Sequence, residues 1–354
     1  TCTSDPRNAK KCKGAPEVEN SDKRNNACLI PENYRLQRHV PFDWTAKNVT
    51  SDIAPHDAAD ADDVLMAADY VTDIFQYLYA DEASSRPKPY MRGQKEINEN
   101  MRKILIDWLV VVHMKFRMLP PTLHLCINLI DRYCSMIHVK RGKLQLVGIT
   151  ALMIAGKYEE IDIPDVDEYV QLCDKAFEKK ELLNMERDML QRLRYKITVP
   201  TAYPFLQRFL HLVKASQLTR FVSNYYMEKA LHDHEFLRYR PSILSASAVI
   251  LALNNPDIHL KEGVAAVHGV KCDEFPGAPA TNALLEYTGF HESEIFECCA
   301  AMVKTIEENF TKKSKEEPLV EVEKKYGSRK FHYVSRDIEL PNESFLPFQM
   351  KSND

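Results

Sequence analysis

The chain has 354 residues, a formal net charge of -4 and a sequence pI near 6.3. That size allows two or more domains, each with its own core. The acidic balance argues against a general nucleic-acid or anionic-membrane surface, which needs a basic face. Only 10 glycines disfavours Gly-rich phosphate loops and turn-rich β architectures.

Residues 1–56 are polar and lack any helical period, so they read as a mostly disordered tail. Within them, RHVPFDW (Arg38 to Trp44) places aromatics in a polar context; it reads first as unstructured tail, with a short segment docking on a partner or on the core as the sharper alternative. The chain opens on Thr rather than Met, and we expect a fragment whose true N-terminus is missing. No signal pattern or transmembrane run is visible, so no membrane partner is expected.

ADDVLMAADYVTDIFQYLYA, residues 61–80, predicts an amphipathic helix beginning near Asp60. Asp residues crowd its start, and Tyr70, Ile74 and Tyr77 fall at offsets 0, 4 and 7 on one face. Pro87 and Pro89 then exclude helix, so this element should be set off from the rest by a stiff connector. MRKILIDWLVVVHMKF, residues 101–116, contains no Gly or Pro and is apolar on nearly every side. Such a helix must be surrounded by others, and it is the expected hub of a bundle. Met101, Ile104, Leu105 and Trp108 make one stripe on it.

Pro120-Pro121-Thr122 should stop the hub and start the next helix, TLHLCINLIDRYCSMI. KLQLVGITALMIAGKYEE follows, with Gly148, Ala151 and Ala155 spaced for a close neighbour. A short helix around residues 166–173 and EKKELLNMERDMLQRLRYK complete five. The second half repeats the plan in PTAYPFLQRFLHLV, SQLTRFVSNYYMEKALHD, PSILSASAVILALN and HESEIFECCAAMVKTIEENF. Between the last two lies a Gly/Pro-punctuated stretch, residues 254–279. Residues 311–354 read as a charged, extended tail. The nine cysteines include no CxxC pair, and reduced core thiols are expected.

Arg102, Asp131, Lys157 and Glu186 sit on otherwise apolar helical faces, and their charges sum to zero. Each alone is ordinarily an edge residue reaching water. Four together, on four helices, predict one core ionic cluster, because buried charges must be paired.

The runs MRKILIDWL, LHLCINLIDRY, GKLQLVGITALMIAGKYEEI and NMERDMLQRLRY, in that order over about a hundred residues, resemble the cyclin box. The likeness is strongest to mitotic B-type cyclins, with A-type members close behind. It implies an all-α fold of two tandem five-helix cyclin bundles with an N-terminal helix and extended tails. The corresponding boundaries are 1–56 tail, 57–96 N-terminal helix and connector, 97–198 first cyclin box, 199–310 second cyclin fold with an insertion near 254–279, and 311–354 tail. EKKYGSRKF, residues 323–331, resembles a stretch in the C-terminal tail of A- and B-type members, which implies that the segment around Lys325, Tyr326 and Ser328 packs back across the bundles, a free tail being the alternative.

The resemblance further implies a non-catalytic regulatory subunit of a cyclin-dependent protein kinase, without cofactor or metal, acting at G2/M in nucleus and cytoplasm. Lys157 and Glu186 match the family's ion pair behind the kinase-contacting loop, and Arg102, Asp131 and Leu146 the rest of its core cluster. Tyr158, Glu159, Glu160 and Ile161 match kinase-interface positions, as do Tyr70, Ile74 and Tyr77. Met101, Ile104, Leu105, Trp108 and Gln145 match the patch that docks Arg-x-Leu motifs of substrates or inhibitors. Lys103 stands where many relatives have Ala, and Val111 replaces an acidic residue that meets the motif's basic end. No Arg-x-x-Leu degradation motif lies upstream of the box.

A cyclin-fold transcription factor is the competing reading, but it would want a basic face and usually a zinc ribbon. An enzyme reading has little support. His232-Asp233-His234-Glu235 would point in different directions on a helix, and no phosphate loop, nucleophile elbow or kinase signature is present.

Overall fold

The computed structural model describes residues 56–174, 176–261, 277–311 and 320–339, together with Ala54, Pro341 and Leu346. All regular elements among them are helical. Of the expected tail 1–56, residues 1–53, with the Arg38–Trp44 segment, and residue 55 lie outside the described residues. None of the described helices is long and apolar enough to cross a membrane.

Helix α1 spans Ala68–Ser85, eight residues later than Asp60. Two short 3-10 turns, Ala58–Asp60 and Val64–Met66, take the place of its expected first turns. The Asp63 carboxylate accepts from the Leu65 amide at 2.9 Å, and Ala67 adopts a left-handed φ of 51°, which an α-helix excludes. The aspartates that looked like a helix start are thus turn formers. Helix α1 is not free of the bundles either. Phe75 and Tyr79 pack on Phe205, with ring centroids 6.0 and 5.0 Å away.

The first bundle comprises α2 (Glu99–Lys115), α3 (Pro120–Cys134), α4 (Leu144–Glu159), α5 (Val166–Leu172) and α6 (Lys179–Arg192). Asn98 caps α2 by accepting from the Met101 amide at 2.9 Å. Gly148 lets α4 approach α2, because a Cβ there would lie 2.7 Å from Leu105 Cδ1. The second bundle comprises α7 (Ala202–Leu212), α8 (Gln217–His232), α9 (Pro241–Leu253), α10 (Pro256–Lys261), α11 (Ala278–Thr288) and α12 (Glu292–Thr311). Helices α10 and α11 frame the punctuated stretch, whose residues 262–276 lie outside the described residues. Helix α9 has no cap of its own. Glu82 of α1 supplies one, accepting from the Ser242 amide and hydroxyl at 3.1 and 2.9 Å.

The all-round apolarity of α2 has a specific cause. Leu105, Leu109 and Val112 enter the core of the first bundle, while Ile106 and Val110 enter the core of the second. One helix serves two cores, so it has almost no face left for water.

Within the expected tail 311–354, the described residues 320–339 are not extended. They form α13 (Glu321–Tyr326), a 3-10 turn (Arg329–Phe331) and α14 (Val334–Asp337). Helix α13 packs on both α2 and α8, and so bridges the bundles. Tyr326 and Lys325 are buried, and Glu228 of α8 receives both, from Lys325 Nζ at 2.6 Å and from the Tyr326 hydroxyl at 2.8 Å.

Candidate protein-interaction surface

The four singled-out charges form two separate pairs, not one cluster. Among the described residues, no hydrogen bond or ion pair links them. In the buried pair, Arg102 of α2 presents its guanidinium fork to Asp131 of α3, with Nε to Oδ1 and Nη2 to Oδ2 both at 2.7 Å. Tyr90 donates to Asp131 Oδ1 at 2.8 Å. The remaining guanidinium nitrogen donates to the carbonyls of Leu231 and His232, each at 3.0 Å, at the end of α8. Arg102 is 2% exposed. Burial works against its charge, but Asp131 outweighs it and holds the guanidinium pKa above its ordinary value. The pair therefore ties the two bundles together. Lys103 adds a second tie, reaching Asp233 at 2.9 Å.

Lys157 donates to Glu186 at 2.5 Å, and its side chain is 43% exposed against 15% for Glu186. Lys157 sits in the last turn of α4, where the helix dipole favours a cation and water can reach it. In the sequence both pairs interrupt apolar stripes. Position along the helix separates them. The turn that follows divides its residues between fold and surface. Tyr158 is exposed, its hydroxyl 2.7 Å from that of Thr198. Ile161 is 98% exposed. Burial raises the Glu159 carboxyl, with Glu160 adding to the effect. Glu160 turns inward and caps α3, accepting from the Leu119 amide at 2.7 Å and from the Thr122 hydroxyl. Its first task is therefore in the fold.

On α1, Tyr70, Ile74 and Tyr77 are 65, 45 and 58% exposed, while Phe75, Leu78 and Tyr79 pack on the second core. The helix presents one aromatic face outward and buries the other. On α2, Ile104 is exposed and Met101 and Trp108 are half-buried, as is Gln145 in the first turn of α4. Leu105 is buried against Gly148 and belongs to the core rather than to a surface patch. Val111 is exposed.

Three contacts had no legible signal. Glu228 with Lys325, Glu82 with Ser242, and Asp57 with Arg208 all join distant segments. Asp57 grips both terminal nitrogens of Arg208, with Nη2 to Oδ2 at 2.8 Å. Arg208 also lies over the rings of Phe75 and Tyr287. Asp57, Asp60 and His211 converge closely enough to suggest cation ligands. The Arg208 guanidinium already holds Asp57 there and would oppose a cation. The His232–Glu235 residues also go separate ways, with His232 on the Glu228 carbonyl and Asp233 on Lys103. The five described cysteines are all buried and free.

Comparison with known proteins adds to this geometry. Family models for the cyclin N-terminal domain and the cyclin C-terminal domain match residues 73–198 and 200–339. Cyclin-B2-2 of Arabidopsis thaliana is 38% identical over 285 residues, covering 80% of this chain and 61% of the relative. G2/mitotic-specific cyclin-2 of Medicago sativa is 35% identical over 282 residues, 79% of each chain. Among the first curated relatives, the match spans about three fifths of their length. A viral cyclin from herpesvirus saimiri aligns with a TM-score of 0.49 at 18% identity, over 61% of this chain and 90% of its own, a likeness too loose to build on. Two consecutive domain matches and the mitotic relatives place the chain in the cyclin family.

Proposed function

We propose that the chain binds a cyclin-dependent Ser/Thr protein kinase and activates it by contact, serving progression through G2/M and mitosis. The observation that supports this reading is that Tyr70, Ile74 and Tyr77 on α1 and Tyr158 and Ile161 at the end of α4, the residues matching the family's kinase contacts, are among the exposed large apolar side chains of the described residues. Exposed aromatic and aliphatic side chains of this kind mark interaction sites. The Lys157–Glu186 pair fixes the end of α4 and so aims the Tyr158–Ile161 turn. Activation requires that this surface bind the active kinase conformation more tightly than the inactive one. The conformation to favour is the one in which the kinase's regulatory helix lies inward and its Glu meets the ATP-orienting Lys.

Substrate recruitment through Arg-x-Leu motifs is the finer part of the proposal. Met101, Ile104, Trp108 and Gln145 are its available contacts, with Leu105 as buried support. Since Val111 is apolar, docking should depend little on the motif's basic flank. The test is co-purification with a cyclin-dependent kinase, followed by activity assay. Tyr70→Ala with Tyr77→Ala should weaken kinase binding without lowering the melting temperature. Undiminished binding by that variant would refute the assignment of α1 to the interface.

A further inference from the structure

The acids of α1 and of the turns before it are treated in two ways. Toward the second bundle they are matched. Asp81 holds Lys196 at 2.8 Å, and Glu82 caps α9 through Ser242. Asp57 grips Arg208, and Asp60 meets His211 at 2.7 Å. Outward they are not. Asp62, Asp63, Asp69 and Asp73 are all exposed, and none has an ion-pair partner among the described residues. No Lys or Arg occurs between Asp57 and Ser85 to supply one locally.

The unmatched acids lie along an apolar face. On α1 the i, i+4 row Asp69, Asp73 and Tyr77 runs beside Tyr70 and Ile74, and all five are exposed. Val64 and Leu65, in the 3-10 turn just ahead, are 92 and 93% exposed. The helix dipole accounts for Asp69 in the first turn, but its effect fades within that turn and does not reach Asp73. Like charges one turn apart disfavour the helix that carries them. The pair is thus a cost to the free chain that an approaching cation would relieve.

One side chain can meet both rows at once. A guanidinium lies flat on a tyrosine ring and forks onto a carboxylate, which the compact ammonium of lysine does less well. Arg208 already does this inside the protein, over the rings of Phe75 and Tyr287 and onto Asp57.

Resting on the kinase reading above, we propose that the outward face of α1 receives arginine side chains set in an apolar face of the kinase. The aspartates steer the approach, and the tyrosines hold the docked state. Charge on the rim of an interface acts on association and its salt dependence, whereas apolar anchors act on dissociation.

The test measures both rates for the full chain with a purified cyclin-dependent kinase, at about 50 and about 300 mM salt. Asp69→Asn with Asp73→Asn should slow association about three- to tenfold at the lower salt, lose most of that effect at the higher, and change dissociation much less. Asn keeps the size of Asp and relieves the repulsion, so the melting temperature should not fall. Tyr70→Ala with Tyr77→Ala should instead speed dissociation, by about tenfold or more. Glu286→Gln with Glu292→Gln removes the same charge from exposed positions on the second bundle and should change neither rate. Association that ignores the two aspartates, or that slows as much with the second-bundle pair, overturns the proposal while the kinase reading stands. A chain that binds no cyclin-dependent kinase overturns both.

Discussion

The Arg102–Asp131 and Lys157–Glu186 pairs look alike in sequence and differ in the fold. Each joins two helices of the first bundle, and each interrupts an apolar stripe. Arg102 lies one turn into α2 and is covered by the end of α8, so all its donors must be met inside the protein. Lys157 lies in the final turn of α4, where water meets part of the demand. The same ionic chemistry is sealed inside the protein at one site and partly open to water at the other. What covers the pair decides which.

Breaking the buried pair should have the largest effect. Arg102→Ala leaves Asp131 charged and buried, with Tyr90 as its remaining donor, and should cost about 3–5 kcal/mol. For domains of this size that lowers the melting temperature by roughly 10 °C.

Acid should act next. His124 has a folded pKa lowered to about 4 against an ordinary 6.5, so between these values the unfolded chain binds more protons. Stability should fall as pH drops from 6.5 towards 4, by up to about 3 kcal/mol from this residue. Chemical denaturation at a series of pH values checks this, and His124→Leu should flatten that part of the profile. Glu228 acts in the same direction lower down. Burial alone would raise its pKa, but Lys325 and Tyr326 outweigh burial and hold it below the ordinary carboxylate value. The stability it contributes is present above the ordinary carboxylate pKa and is lost as pH falls through the depressed one.

Tyr326→Phe removes one hydrogen bond to the Glu228 carboxylate and should cost about 2 kcal/mol. Tryptic cleavage after Lys325 should quicken in that variant, because α13 would open more often. An unchanged cleavage rate would mean that the buried tyrosine contributes nothing to holding the segment. The smallest stability effect belongs to the half-exposed pair. Lys157→Ala should cost no more than about 1 kcal/mol, the usual worth of an ion pair open to water.

How far the sequence foretold these results depends on distance along the chain. Periodicity located α2 within two residues at each end, and its all-round apolarity follows from serving two cores. The need to pair buried charge picked out Arg102 and Asp131 correctly, 29 residues apart. It overreached in drawing Lys157 and Glu186 into the same cluster, because nothing local tells a helix end that stays wet from one that is covered. Lys325 and Tyr326 read equally as packed back across the bundles or as part of a free tail, and their partner stayed hidden because Glu228 lies 97 residues before Lys325. Asp57 and Arg208, 151 residues apart, were hidden for the same reason. Leu105 shared a stripe with Ile104 and Trp108, and only the approach of α4 through Gly148 turns it inward. Helix α11 was missed because it begins inside a stretch whose glycines and prolines read as loop.

Kinase activation by Lys157→Ala, measured beside its melting curve, tests the central claim most directly. Glu186→Ala and the double variant complete the set. The account predicts that all three melt within a few degrees of the unaltered chain and that none activates a cyclin-dependent kinase, since the turn bearing Tyr158 and Ile161 is no longer aimed. Full activation by Lys157→Ala would contradict it.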